Sequence, residues 1–143
     1  MPPGPDKIAA YLSADYVVFG EPEMVLRIGE PSAELDTLLE AEGAETACYV
    51  TAANPHGRRA AEAENVLATT ALLESQRRAG YACFAGEGRD PKREWRAEPS
   101  VLVIGISRAD AQVLGRSYEQ NAIVFVRKGD APELVVLAPR LRS

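Results

Sequence analysis

Residues 46–53, Thr-Ala-Cys-Tyr-Val-Thr-Ala-Ala, contain no charged side chain, and this run constrains the fold more than any other part of the chain. Successive side chains of a β-strand point to opposite faces, so a strand without polar alternation must be covered on both. It belongs in the middle of a sheet with layers on either side. Asn54-Pro55-His56-Gly57 breaks the strand, and a long helix is predicted over 58–78. Its expected apolar side carries Ala63, Val66, Leu67, Thr70 and Leu73, and Gly80 stands where a C-terminal glycine ends a helix.

The rest of the chain supplies partners for that strand. A short helix is predicted over 6–12, then strands over 16–19 and 24–28 around the hairpin loop Gly20-Glu21-Pro22-Glu23. Ser32 caps a helix with Leu35, Leu38 and Leu39 on one stripe, ending at Gly43. A strand follows over 81–85, then an exposed loop over 86–91. Residues 95–106 read as one long or bent strand, interrupted at Glu98-Pro99, where a proline marks an edge or a bulge. Ser107 and Asp110 form a variant capping box ahead of Ala111, Leu114 and Tyr118. Strands over 121–127 and 133–138 close the chain as a hairpin around Lys128-Gly129-Asp130.

The order αββαβαββαββ predicts an α/β (α+β) fold, a single mixed sheet of about six to seven strands flanked by about three to four helices. With 143 residues, the chain reads as one domain, 1–143, with flexible tails at 1–5 and 140–143.

Charge and composition narrow the function classes. Sixteen basic against 21 acidic residues give a net charge of −5, which argues against a nucleic-acid binder, because that affinity comes largely from cations facing phosphates. The longest apolar run, 101–106, is far short of the ~18 residues a membrane helix needs. The opening Met-Pro-Pro-Gly-Pro-Asp-Lys has no basic region followed by an apolar stretch, so a cytoplasmic location is expected. Cys48 and Cys83 have no second cysteine or histidine at ligand spacing. They read as reduced, buried thiols on neighbouring strands, with no metal site. The sequence indicates no cofactor and does not determine the oligomeric state.

From Thr51 onward the chain carries TAANP, Asn65 on the following helix, then WRAEPS and YEQNAIV. In this combination it resembles a bacterial family catalogued as a domain of unknown function, number 3293. The resemblance runs from about Tyr16 to the last strand, with Ala53 replacing the usual bulky residue before Asn54. It implies one domain and a shared site, and it supplies no reaction.

The residues themselves offer several places for chemistry. Within 51–59 a buried strand gives way to a helix, and the crevice beyond the strand ends of an open α/β sheet is a favoured ligand position. A helix N-terminus suits an anion, so Thr51, Asn54, Arg58 and Arg59 are read as binding a small anionic, nucleotide-like ligand, with Gly57 allowing close backbone approach. The alternative is that Asn54 caps the helix, Pro55 fills its first turn and the arginines are solvated. No nucleotide-binding fingerprint is present. Asn65, a poor helix-interior residue, either binds a ligand or the Asn54 loop, or faces solvent. Gln120 either reads a polar ligand edge or serves a turn with Asn121.

For proton transfer the candidates are His56, the only histidine, and Glu98, a carboxylate in an apolar strand whose pKa burial would raise. The bland reading of Glu98 is an edge-strand charge in water. Arg89, Lys92, Arg93 and Arg96, balanced by Glu87, Asp90 and Glu94, read as a solvated loop. Enzymatic turnover stays open, and a protein-interaction or regulatory module is the alternative class. Asn54, Asn65 and Glu98, each a polar interruption of an apolar element, are expected to meet in one cleft.

Overall fold

The computed structural model describes residues 3–137, apart from the side chain of His56. The elements are α1 (Pro5–Ser13), β1 (Asp15–Val18), β2 (Met24–Leu26), α2 (Ala33–Ala41), β3 (Thr46–Val50), a 3₁₀ turn (Pro55–Gly57), α3 (Glu62–Arg78), β4 (Ala82–Arg89), β5 (Glu98–Ile104), α4 (Arg108–Ser117), β6 (Ala122–Arg127) and β7 (Glu133–Val136). This is the predicted order, and the fold is α+β. The seven strands form one sheet in the order β2-β1-β4-β5-β3-β6-β7.

Every strand pairing is antiparallel, so the sheet is not the mixed one predicted. The strands joined through α2, α3 and α4 are never neighbours: β5 lies between β3 and β4, and β3 lies between β5 and β6. Parallel strands therefore exist, but each such pair is separated by one strand or, for β2 and β3, by three.

β3 sits between β5 and β6 and is buried on both faces, as its charge-free sequence requires. Cys48 and Val50 join one core layer with Leu72 of α3 and Leu114 of α4. Ala47 and Tyr49 join the other, with Leu35 and Leu39 of α2. Full burial of each such leucine contributes roughly 1.5–3 kcal/mol. The Gly29 N–H donates to Pro132 O at 2.9 Å. That bond links the turn after edge strand β2 to the residue before edge strand β7, so the sheet curls until its edges meet at one corner.

The expected caps are in place. Ser32 Oγ accepts from Leu35 N and Ser107 Oγ from Asp110 N, each at 3.1 Å. Gly80 follows the end of α3, and its N–H donates to Arg77 O. At the N-terminus Pro5 already opens α1, and Gly4 O accepts from Lys7 N and Ile8 N. The predicted tail at 140–143 lies outside the described residues, as do Met1 and Pro2.

Three elements depart from prediction. β4 continues through Gly86-Glu87-Gly88-Arg89, which pairs with both β1 and β5 instead of looping out. A Cβ at Gly86 would lie 2.0 Å from Val17 O, so glycine here permits a close strand approach that resembles a turn signal in sequence. β5 starts at Glu98, and Pro99 lies in a strand that is interior to the sheet. Pairing with β3 covers only Val101–Ile104. The Pro99 carbonyl faces Thr51 and Thr69 beyond the end of β3, so on that side its missing N–H breaks no ladder bond.

Finally, α3 begins at Glu62 and buries Asn65, Thr69 and Leu72, while Val66 and Leu67 are 49% and 71% exposed. The predicted apolar stripe is therefore rotated toward water. The polar Asn65 and Thr69 face inward because the chain supplies them with partners at the end of β3 and at Pro99.

Candidate functional site

The site begins where β3 runs out. Thr51 Oγ1 donates to Pro99 O at 2.5 Å and accepts from Ala53 N at 2.9 Å, turning the chain out of the sheet. Asn54 then takes a left-handed conformation, φ 47° and ψ 61°, which asparagine tolerates better than most residues. Glu98, when ionised, can only accept, so Asn54 presents its amide nitrogen to it: Nδ2 donates to Glu98 Oε2 at 2.9 Å. This turns Asn54 Oδ1 toward Ala60 N at 2.9 Å and Asn65 Nδ2 at 3.0 Å. Asn65 Oδ1 in turn accepts from Asn54 N at 2.9 Å.

Asn65, Asn54 and Glu98 therefore form one hydrogen-bonded chain linking α3, the 51–59 loop and the start of β5. Asn54 Oδ1 is occupied twice, and Asn65 is buried with both amide atoms used. The pair positions Glu98. Desolvation raises the Glu98 pKa above the usual carboxylate range, opposed by the Asn54 hydrogen bond and the positive charge of Lys7.

Glu98 lines a cleft of about 800 Å³, within the range of small-molecule sites. Residues from β1, β3, β4, β5, β6 and β7 reach this cleft, among them Tyr16, Tyr49, Gly88, Val124 and Leu134. Only a curled sheet could bring them to one cavity. Helix α1 contributes Lys7 and Tyr11 to the lining. It is held by Tyr16 Oη donating to Tyr11 O at 2.5 Å and Lys7 Nζ donating to Gly57 O at 3.3 Å. Tyr49 Oη donates to Val17 O at 2.9 Å, and its ring meets that of Tyr16 edge-on, with centroids 5.2 Å apart. Burial raises the pKa of both phenols, so they remain neutral donors.

Of the residues singled out from sequence, Thr51, Asn54, Arg59, Glu98 and Gln120 line the cleft. Asn65 stands behind Asn54. Arg58 is exposed and outside the lining. Neither arginine lies at a helix N-terminus: α3 starts after them, with Glu62 and Glu64 in its first turn. Asn54 accordingly stands at the N-cap position of the 3₁₀ turn, with no capping bond from its side chain, and Ala61 stands at that of α3. Gln120 Nε2 donates to Ala53 O at 3.0 Å and Tyr118 O at 3.1 Å, so both its N–H groups hold the loop to the end of α4. The His56 side chain lies outside the described residues.

Lys7, Tyr11, Tyr16, Tyr49, Arg93 and Trp95 also line the cleft. Sequence reasoning assigned none of them there, and their spacing carries no signal of it. Among the described residues no cluster of three or more His, Cys, Asp or Glu could hold a metal ion, and no helix is long and apolar enough to cross a membrane.

A family model described as a protein of unknown function, DUF3293, matches residues 50–123. The chain belongs to the DUF3293 family. The matched span contains every member of the Asn65–Asn54–Glu98 chain, together with Thr51 and Gln120. Helix α1, Tyr16 and Tyr49, which also line the cleft of this DUF3293 protein, precede the match, and Val124 and Leu134 follow it. No curated protein and no solved structure matches it.

Proposed function

We propose that this DUF3293 protein binds a small polar ligand carrying an anionic group in the Glu98 cleft. The observation that carries this reading is the Asn65–Asn54–Glu98 chain. It holds a partly desolvated carboxylate on the wall of a cavity that Lys7, Arg59 and Arg93 also line. A carboxylate kept away from water, with two amides committed to orienting it, is costly for stability alone and useful for recognition. Glu98 is also the group through which proton transfer to a bound substrate would run, because burial brings its pKa closer to neutrality. We also propose that the whole chain forms one domain of a cytoplasmic protein.

A thermal-shift screen with inorganic phosphate, nucleoside monophosphates and dicarboxylates tests this, since a ligand of the native state raises the midpoint. A hit should weaken in Arg59→Ala and in Glu98→Gln, and remain in Arg58→Ala. No hit, or hits insensitive to Glu98 and Arg59, would overturn the reading.

The exposed Val66, Leu67 and, on α4, Val113 favour a second reading, an interaction module docking through the helical layer. Loss of self-association or partner binding in Leu67→Ser, with the cleft variants silent, would select it.

A further inference from the structure

We propose that the ligand of this cleft carries a planar heterocycle with two adjacent N–H donors, the amino–oxo edge shared by guanine and pterins, joined to its anionic group. The inference rests on the ligand-binding reading above and names the class of ligand.

The first support is the distribution of aromatic residues. The chain has five tyrosines and one tryptophan, and Tyr11, Tyr16, Tyr49 and Trp95 all line this one cleft. Tyr81 and Tyr118 pack against the opposite core layer. Tyr16 and Tyr49 close the floor but are buried, with hydroxyls already donating to main-chain carbonyls, so they leave no free ring face. Tyr11 and Trp95 are only half-buried and keep free surface. Flat π-systems against such walls stack favourably.

The second support is Glu98 itself. An ionised carboxylate has about four acceptor sites, and among the described residues the Asn54 amide occupies one. The group that best fills the rest is a pair of parallel N–H donors, as in fork-to-fork pairing. Guanine and pterins present a ring N–H beside an exocyclic amine. Adenine sets its amine beside a ring acceptor, and hypoxanthine has the ring N–H alone.

Charge weighs against the other planar donor fork, a guanidinium. Lys7, Arg59, Arg93 and Arg96 line the cleft against Asp6, Glu94 and Glu98; Arg96 is paired with Glu62, and Lys7 already acts on Glu98. A cationic ligand would meet those charges, whereas a neutral heterocycle bearing phosphate or carboxylate would satisfy both Glu98 and the cations.

Calorimetric titration of the full chain tests this, with guanosine, inosine and adenosine monophosphates, a pterin carboxylate, ribose phosphate and L-arginine as probes. Guanosine monophosphate or the pterin should bind about tenfold or more tightly than the inosine and adenosine nucleotides, as a bidentate pair discriminates. Whichever of the two leads identifies the source. Glu98→Gln should abolish the preference of guanosine over inosine monophosphate, because its amide would present N–H to N–H. Its carbonyl can still accept from Asn54, and a melting curve checks that it folds. Trp95→Ala should weaken all three purine nucleotides alike.

Equal binding of the three nucleotides, a guanine preference that survives Glu98→Gln, or L-arginine as the tightest probe would overturn the inference. Ribose phosphate binding as tightly as guanosine monophosphate would also overturn it while leaving the anionic-ligand reading intact. A hit from the broad screen outside these probes would do the same. Failure of the whole screen, or hits insensitive to both Glu98 and Arg59, removes both.

Discussion

Asn54 Nδ2 donates to Glu98 Oε2 at 2.9 Å across 44 positions of sequence, and this bond joins the loop after β3 to the first residue of β5. Asn54→Asp keeps an acceptor for Ala60 N but sets a second carboxylate oxygen against Glu98. Two carboxylates in contact cannot both ionise freely. The variant should lose about 2–4 kcal/mol at neutral pH and recover part of that in mild acid, where the pair shares a proton. Urea unfolding at both pH values measures this. An equal loss at both would mean that Glu98 is not the partner that matters.

Glu98 makes stability depend on pH with a definite sign. Its pKa is raised in the folded state, mainly by desolvation, so the native protein holds this proton more tightly than the unfolded chain does. Stability from this group is fully present below the unfolded pKa and is lost as pH rises through the folded value. Glu98→Gln removes that dependence while retaining the Asn54 hydrogen bond. It should be the more stable protein at neutral pH, by about 1.4 kcal/mol for each pH unit by which the native pKa exceeds the unfolded one. The two melting profiles should converge in acid. A variant less stable than the parent at neutral pH would show that the native state favours the charge.

Arg58 and Arg59 are adjacent and exposed, yet only Arg59 lines the cleft. Replacing either by alanine should change stability by no more than about 0.5 kcal/mol. Arg59→Ala alone should weaken anion binding, and added salt should reproduce part of that loss. Unfolding of the double variant would instead make the arginines structural.

Cys48 and Cys83 both stand opposite Val103, one on each side of β5. They are two strands apart, about 9.5 Å by strand spacing, and not on neighbouring strands as predicted. That exceeds the ~7 Å Cα separation a disulfide can span. Both are buried and free, and burial pushes the Cys48 thiol up to about 12. Native protein should therefore react with a thiol reagent only at the rate at which it opens. A fast equivalent of labelling would contradict this for at least one thiol.

Gly86→Ala should be strongly destabilising, by about 1–3 kcal/mol, because the new methyl would meet Val17 O, a main-chain atom that moves only with β1. The corresponding change at Gly88, where nothing lies within 4 Å of an added Cβ, should be much milder. Chemical denaturation of the two variants makes the comparison.

Element order was legible in the sequence because it depends on local signals. Charge-free β3, the Ser32 and Ser107 caps and the Gly43 and Gly80 stops act within a few residues of themselves. The meeting of Asn54, Asn65 and Glu98 was legible too, since a polar group inside an apolar element needs a partner. What the tertiary structure alone decided depends on which strands become neighbours. Antiparallel pairing throughout, the interior place of a Gly-rich β4 end and of Pro99, and the inward face of α3 follow from sheet order, which no local pattern encodes. The same holds for the cleft: Lys7, Tyr16, Tyr49 and Trp95 meet because a curled sheet closes around them. Sequence spacing is blind to that, because the contacts form in the third dimension between residues whose separation along the chain has no period.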